Sequence, residues 1–177
     1  MRCSSGKSTT ALTCLESNLS YVGDDYTLLG LDPGPVVHSL YNSAKLNNDH
    51  VQRFPALLPK IVNTDRLTEE KALLFVNEHY PSKVATRLPI RAILLPRVTG
   101  LVETRLKRVS VAMALASLAP STIFQLPRAG NEAFKFLAAF ARRVPCFSFK
   151  VGTDLSAIPP VIEGLLSQID SDSLPQE

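Results

Sequence analysis

Ser5-Gly6-Lys7-Ser8-Thr9-Thr10, running directly into Ala11-Leu12-Thr13-Cys14-Leu15, is the stretch on which the reading of this chain turns. Gly6-Lys7-Ser8 matches the second half of the loop pattern G-x-x-x-x-G-K-[ST], and a helical run follows it where that pattern requires one. Each residue type has a physical task in such a loop. Gly6 lets the backbone approach an oxyanion and turn its N–H groups toward it. Lys7 brings a point charge within reach of a phosphate. Ser8 offers a hydroxyl oxygen to a divalent cation. Ser5 and Thr9 flank this core, and the helix running from Thr9 to Leu15 starts with free amides that favour an anion. The first glycine of the pattern would stand at Met1, so the expected fold is one whose first strand is missing.

Working outward, the next feature is Asp24-Asp25, directly after Gly23. A helix over 6–17 carries the chain about 17 Å from the loop at roughly 1.5 Å per residue. A strand from Leu19 to Asp24 brings it back by about 17 Å at roughly 3.3 Å per residue. A right-handed crossover makes the return parallel to the strand expected before the loop, so both carboxylates should arrive beside Lys7 and Ser8. There a carboxylate can hold Mg²⁺ or take a proton from an attacking hydroxyl. Neighbours on a strand point to opposite faces, which gives the two aspartates different tasks without assigning them.

The remaining pattern alternates short strands with helices. Strands are expected over 19–23, 26–31, 36–41, 72–76, 91–95 and 146–151, several of them apolar throughout. Helices are expected over 104–119, from Pro120 to Gln125, over 131–143 and over 160–169. The polar, proline-broken segment 42–68 reads as loop with short helices. This predicts an α/β layered fold, with a mixed β-sheet flanked by helices. A single domain is expected over 1–170, with 171–177 as a disordered tail. The 13 prolines exclude a long-helix bundle.

With 19 basic and 16 acidic side chains, the net charge is +3, too small and too scattered to make nucleic acid the main partner. The longest apolar run, Val109 to Ala119, is broken by Ser110 and Ser117 and is too short to span a bilayer, so no membrane partner is expected. The first ten residues lack the apolar core of a secretory signal. Cys3, Cys14 and Cys146 form neither a disulfide framework nor a metal pattern, which fits a reducing, cytoplasmic setting.

Gly6-Lys7-Ser8-Thr9-Thr10-Ala11-Leu12 followed by Tyr21-Val22-Gly23-Asp24-Asp25-Tyr26 resembles the HPr kinase-like family, and more closely its bacterial HPr kinase-related serine kinases. Ser39 to Leu46, Leu94-Leu95-Pro96-Arg97 and Ala119-Pro120-Ser121-Thr122 are also similar to that group, so the resemblance runs from Arg2 to about Leu166. It implies a P-loop kinase-like fold and ATP- and Mg²⁺-dependent transfer of a phosphoryl group to a hydroxyl, in the family a protein serine. It implies Asp24 as the base toward that hydroxyl, with Lys7 beside it in catalysis. Ser5, Gly6, Lys7, Ser8 and Thr9 would bind the nucleotide, and Ser8 the metal; Asp25 is read as a further metal or supporting carboxylate. The chain departs from the family in lacking the strand before the loop, the loop's first small residue and an upstream histidine, which is the pattern expected of an N-terminally incomplete domain. An oligomer is compatible with this reading.

Two further basic residues attract attention. Lys45 and Arg97 could face a transferring phosphoryl group, and Arg97 follows an apolar strand, but both also read as surface cations. Ser121 and Thr122 read as helix-start residues. His38, His50 and His79 lack metal spacing and read as structural or solvated. Arg105, Lys107 and Arg108 read as the wet side of a helix. Two other functions stay open from the residues: a P-loop phosphotransferase acting on a small-molecule hydroxyl acceptor, and a non-catalytic α/β interaction module that has lost its nucleotide.

Overall fold

A computed structural model describes residues 5–123 and 130–172. The loop enters its helix through a left-handed corner. Gly6, at φ 88° and ψ 8°, immediately precedes α1 (Lys7–Thr13), and Thr10 N donates to Gly6 O across 2.9 Å to close the first turn. A β-carbon at such a corner would crowd the following carbonyl, so glycine is the residue that fits. A 3₁₀ turn, Cys14–Glu16, ends the helix, and Leu12 and Leu15 are buried.

The chain forms two compact units, Met1–Leu29 with Val37–Leu88 and Gly30–Val36 with Pro89–Glu177. The described residues make a mixed α/β protein of helices and small sheets, with no barrel among them. Strands β1 (Thr27–Gly30), β2 (Val36–Ser39) and β5 (Arg87–Pro89) form one sheet in the order β1-β2-β5. The Asp32–Pro33 peptide between the first two is cis.

In the first unit, β3 (Ser43–Leu46) pairs antiparallel with β4 (Ala72–Phe75), with Ala44 opposite Leu74. Ala44, Leu46, Ala72 and Leu74 are buried at alternate positions, the signature of a sheet with one face on a core. Helix α1 packs on β3. Short helices α2 (Asn48–Val51) and α3 (Val76–His79) complete the cluster around Leu12, Leu15, Tyr21, Val51, Leu57 and Val76. Segment 42–68, expected as loop with short helices, therefore also carries a strand. Its first four strand residues, Ser43-Ala44-Lys45-Leu46, were masked by the polar residues around them.

The second unit is built on β8 (Cys146–Val151). It pairs parallel with β6 (Ile93–Val98), Ile93 opposite Cys146, and antiparallel with β7 (Arg105–Arg108), Leu106 opposite Phe149. Strand β8 is central, and its Phe149 and Val151 are almost wholly enclosed. Gly152, just beyond it, has no room for a side chain: a β-carbon would come within 2.2 Å of Val102 O. Helix α4 (Val111–Thr122) packs on β6 and β8 and against α5 (Gly130–Ala141), and α6 (Ile158–Asp172) follows.

Several boundaries differ from the sequence reading, each for a local reason. The helix expected from Thr104 is a strand first, because Leu106 alternates with exposed Arg105 and Lys107 and has the open edge of β8 to pair with. Arg105, Lys107 and Arg108 thus lie on a sheet edge, not on a helix, where their charge discourages further pairing. The helix proper starts after Ser110, whose hydroxyl accepts from Met113 N at 3.3 Å. It then runs through Pro120, so the second helix expected there is the last turn of the first; Ser121 and Thr122 end it instead of starting one, and Gln125 lies outside the described residues. Helix α6 begins two residues before Pro160, because prolines are accepted in a first turn where no intrahelical N–H is needed. It continues to Asp172, into the segment expected as a tail; residues 173–177 lie outside the described residues. Among the described residues no helix is long and apolar enough to cross a membrane, and Cys14 and Cys146 form no disulfide; Cys3 lies outside the described residues.

Candidate functional site

The segment that brings Asp24 back to the loop is not the regular strand expected over 19–23. Its single ladder contact is a parallel bridge between Tyr21 and Val84. Asn18 and Ser20 are exposed, and the facing chain over Pro81–Lys83 is itself a 3₁₀ turn, so no longer ladder forms. Tyr21 is pinned all the same. Its N–H donates to Lys83 O at 2.7 Å, its carbonyl accepts from Ala85 N at 2.8 Å, and its hydroxyl donates to Ser43 O at 3.0 Å. Burial, together with the charges of Asp24 and Asp25, holds the Tyr21 hydroxyl well above its ordinary range, so it remains a donor.

Three residues on, Asp24 meets the loop. Ser8 Oγ donates to its carboxylate, 3.0 Å from Oδ1 and 3.2 Å from Oδ2, and Lys45 N donates to Oδ2 at 3.1 Å. Burial pushes the Asp24 carboxyl up from its usual value, and the charge of Asp25 adds to this. The hydrogen bonds from Lys45 and Ser8 and the charge of Lys71 pull the other way. Lys7, adjacent to Ser8, is exposed and donates to Ser5 Oγ at 3.1 Å. Thr9 is buried, its hydroxyl 3.5 Å from His50 Nδ1. Asp25 is exposed.

These residues border two cavities of the first unit. One, of about 380 Å³, is lined by Ser5, Lys7, Ser8, Thr9 and Asp25 together with Lys45, Leu46, Asn47, His50 and Lys71. The other, of about 400 Å³, is lined by Asp24, Asp25, Tyr26, Leu40, Tyr41, Ser43 and Lys45. Asp25 and Lys45 border both. The first cavity carries three lysines and a histidine against one carboxylate. Among the described residues none of these lysines is in an ion pair. Such a lining favours an anion of several charges.

The structure therefore brings Ser5, Lys7, Ser8, Thr9, Asp24 and Asp25 to one place and adds Lys45, whose amide and side chain both contribute. Arg97 is not among these residues; it lies in β6 of the second unit, in register with Lys150, and is exposed. Two contributors were not legible. His50, read as structural or solvated, lines the loop cavity and pairs with Asp49 at 3.7 Å when protonated. Lys71 gave no signal at all. The chain there is held by the buried Asn63, which donates to the carbonyl of Lys71 at 3.0 Å and accepts from Leu73 N at 2.9 Å. His38 and His79 sit in β2 and α3 and line neither cavity.

The donor set suits a polyphosphate with a hard cation. Ser8, Asp24 and Asp25 offer oxygen ligands, and Mg²⁺ takes one or two carboxylates and shares the rest of its shell with water and phosphate. Among the described residues no three His, Cys, Asp or Glu gather into a metal cage. Comparison with protein-family models, curated proteins and solved structures gives no match for this chain.

Proposed function

We propose that this chain is a P-loop phosphotransferase of the HPr kinase-like type, built on that family's layered kinase fold, which uses ATP and Mg²⁺ to phosphorylate a hydroxyl, in the first place that of a protein serine. The observation that carries the reading is the hydrogen bond between Ser8 and Asp24, which joins the loop to the carboxylate that the reaction needs. Lys7, with Lys45 and Lys71, holds the anionic tail of the nucleotide, and the amides around Gly6 and the side chains of Ser5 and Thr9 border it. Mg²⁺, held by Ser8 with Asp25 in support, would neutralise charge on the β and γ oxygens.

Asp24 acts as the base. Burial raises its carboxyl toward the range in which a base is both ionised and able to hold a proton. It borders the cavity of Tyr26, Leu40 and Tyr41, from which the acceptor hydroxyl approaches. The proton leaves that hydroxyl for Asp24 as its oxygen bonds to the γ-phosphorus held on the Lys7 side, while the bond from that phosphorus to the β–γ bridging oxygen breaks and ADP departs.

The test is nucleotide binding, measured by calorimetry with and without Mg²⁺, joined to transfer of label from γ-labelled ATP to protein. Binding that depends on Mg²⁺ and is lost in Lys7→Ala is expected. Asp24→Asn should keep binding while label transfer falls about 10²- to 10⁴-fold. Undiminished transfer in Asp24→Asn removes the base, and absence of ATP binding removes the whole reading.

A further inference from the structure

The second unit holds a cavity of about 520 Å³ that the reading above does not use. It opens at the sheet end where β6 and β8 begin. Ile93 N donates to Pro145 O, and Val109 N to Cys146 O, each across 2.9 Å, which fixes the floor. Three arginines come to it from two elements. Arg108 is the last residue of β7, while Arg142 and Arg143 leave the last turn of α5, their N–H groups bonded to Ala138 O and Phe140 O. Arg143 is partly committed, donating through Nη1 to Leu31 O at 2.6 Å. Arg108 and Arg142 have no ion pair among the described residues, and none of the lining residues is Asp or Glu. The rest of the lining is largely apolar, with Val144 and Leu165 buried.

Like charges gathered on one concavity repel, and nothing in the lining offsets them. A guanidinium fork matches a planar pair of oxygens, so the lining selects an oxyanion over a halide. Three positive charges favour a dianion over a monocarboxylate, and a phosphate monoester carries close to two negative charges near neutral pH. The apolar wall gives an organic substituent a place to lie, and the volume is within the span usual for small-molecule sites.

We propose that this cavity is a second ligand site, one that takes a small organic phosphate monoester with its head on Arg108 and Arg142 and its apolar body against Val109, Val144 and Leu165. The site stands independently of the kinase reading.

The experiment is titration of the full chain carrying Lys7→Ala, which weakens the lysine-lined cavity, so that the arginine variants made in this background report on the second cavity. Phenyl phosphate is compared with inorganic phosphate and benzoate by calorimetry. Phenyl phosphate should bind at about 1 mM or below and more tightly than either comparison ligand. Arg108→Gln and Arg142→Gln should each weaken it roughly tenfold, and the double variant should abolish it. Both positions are exposed, so the fold should persist, as a ligand-free melt will show. If the double variant melts early, the Arg108→Lys/Arg142→Lys pair replaces it. That pair keeps charge and loses the forks, and it should still weaken binding. No binding of phenyl phosphate, equal binding of benzoate, or affinity unchanged in the arginine variants would overturn the site.

Discussion

Asp24 shows how a single side chain is tuned by what surrounds it. Its carboxyl is raised chiefly by burial, although two donors lie against it. In the unfolded chain such a group gives up its proton near 3.8, while in the folded chain it keeps the proton to higher pH. Between those points the folded state binds more protons, so stability falls as pH rises through that interval. Thermal melts at successive pH values should show this slope in the wild type and a flatter one in Asp24→Asn; equal slopes would mean that burial is not acting on this carboxyl. Gly6 makes a second prediction at this scale. Its φ of 88° lies in the left-handed region, so Gly6→Ala should cost about 1–2 kcal/mol in denaturant unfolding. Gly6 was legible through its pattern; Asp24 was expected beside the loop by way of a strand that does not form, and it reaches Ser8 from an irregular segment pinned at Tyr21. Lys71 was not legible, because the chain there is held by a tertiary device, the amide of Asn63, that leaves no local periodicity.

At the scale of elements, legibility followed burial. Strand β8 and helix α5 could be read from their apolar positions, several of which are buried: Cys146, Phe149 and Val151 in the strand and Leu137, Phe140 and Ala141 in the helix. Strand β7 could not, since its exposed basic residues look equally at home on a helix and its structure comes from the edge of β8. Pro120 misled in the opposite direction. It sits inside α4, where it lacks an N–H to give and crowds the carbonyl four residues back, and the helix tolerates it near its end. Pro120→Ala should therefore stabilise the protein, by about 1 kcal/mol or more when measured by chemical denaturation. A destabilised variant would mean that the proline ring contributes packing that outweighs the backbone cost.

For the whole molecule, the two compact units set the expectation. Leu74 is buried in the core of the first and Phe149 in the core of the second. Leu74→Ala should cost about 2–5 kcal/mol and Phe149→Ala about 3–5 kcal/mol. Introduced together in a chain stable enough to bear both, the two losses should sum to within about 0.5 kcal/mol, as read by denaturant unfolding. A large departure from the sum would show that the two cores respond as one. The division of the chain has a consequence for biosynthesis. Residues 30–36 leave the ribosome long before the segment they join: Pro35 O receives Ile90 N, and Leu31 O receives Arg143. A nascent polypeptide released after residue 88 would hold the material of the first unit but carry a seven-residue insertion whose partners Ile90 and Arg143 are not yet translated. Any gene-fragment library cut there would sever a fold that is interleaved, not sequential.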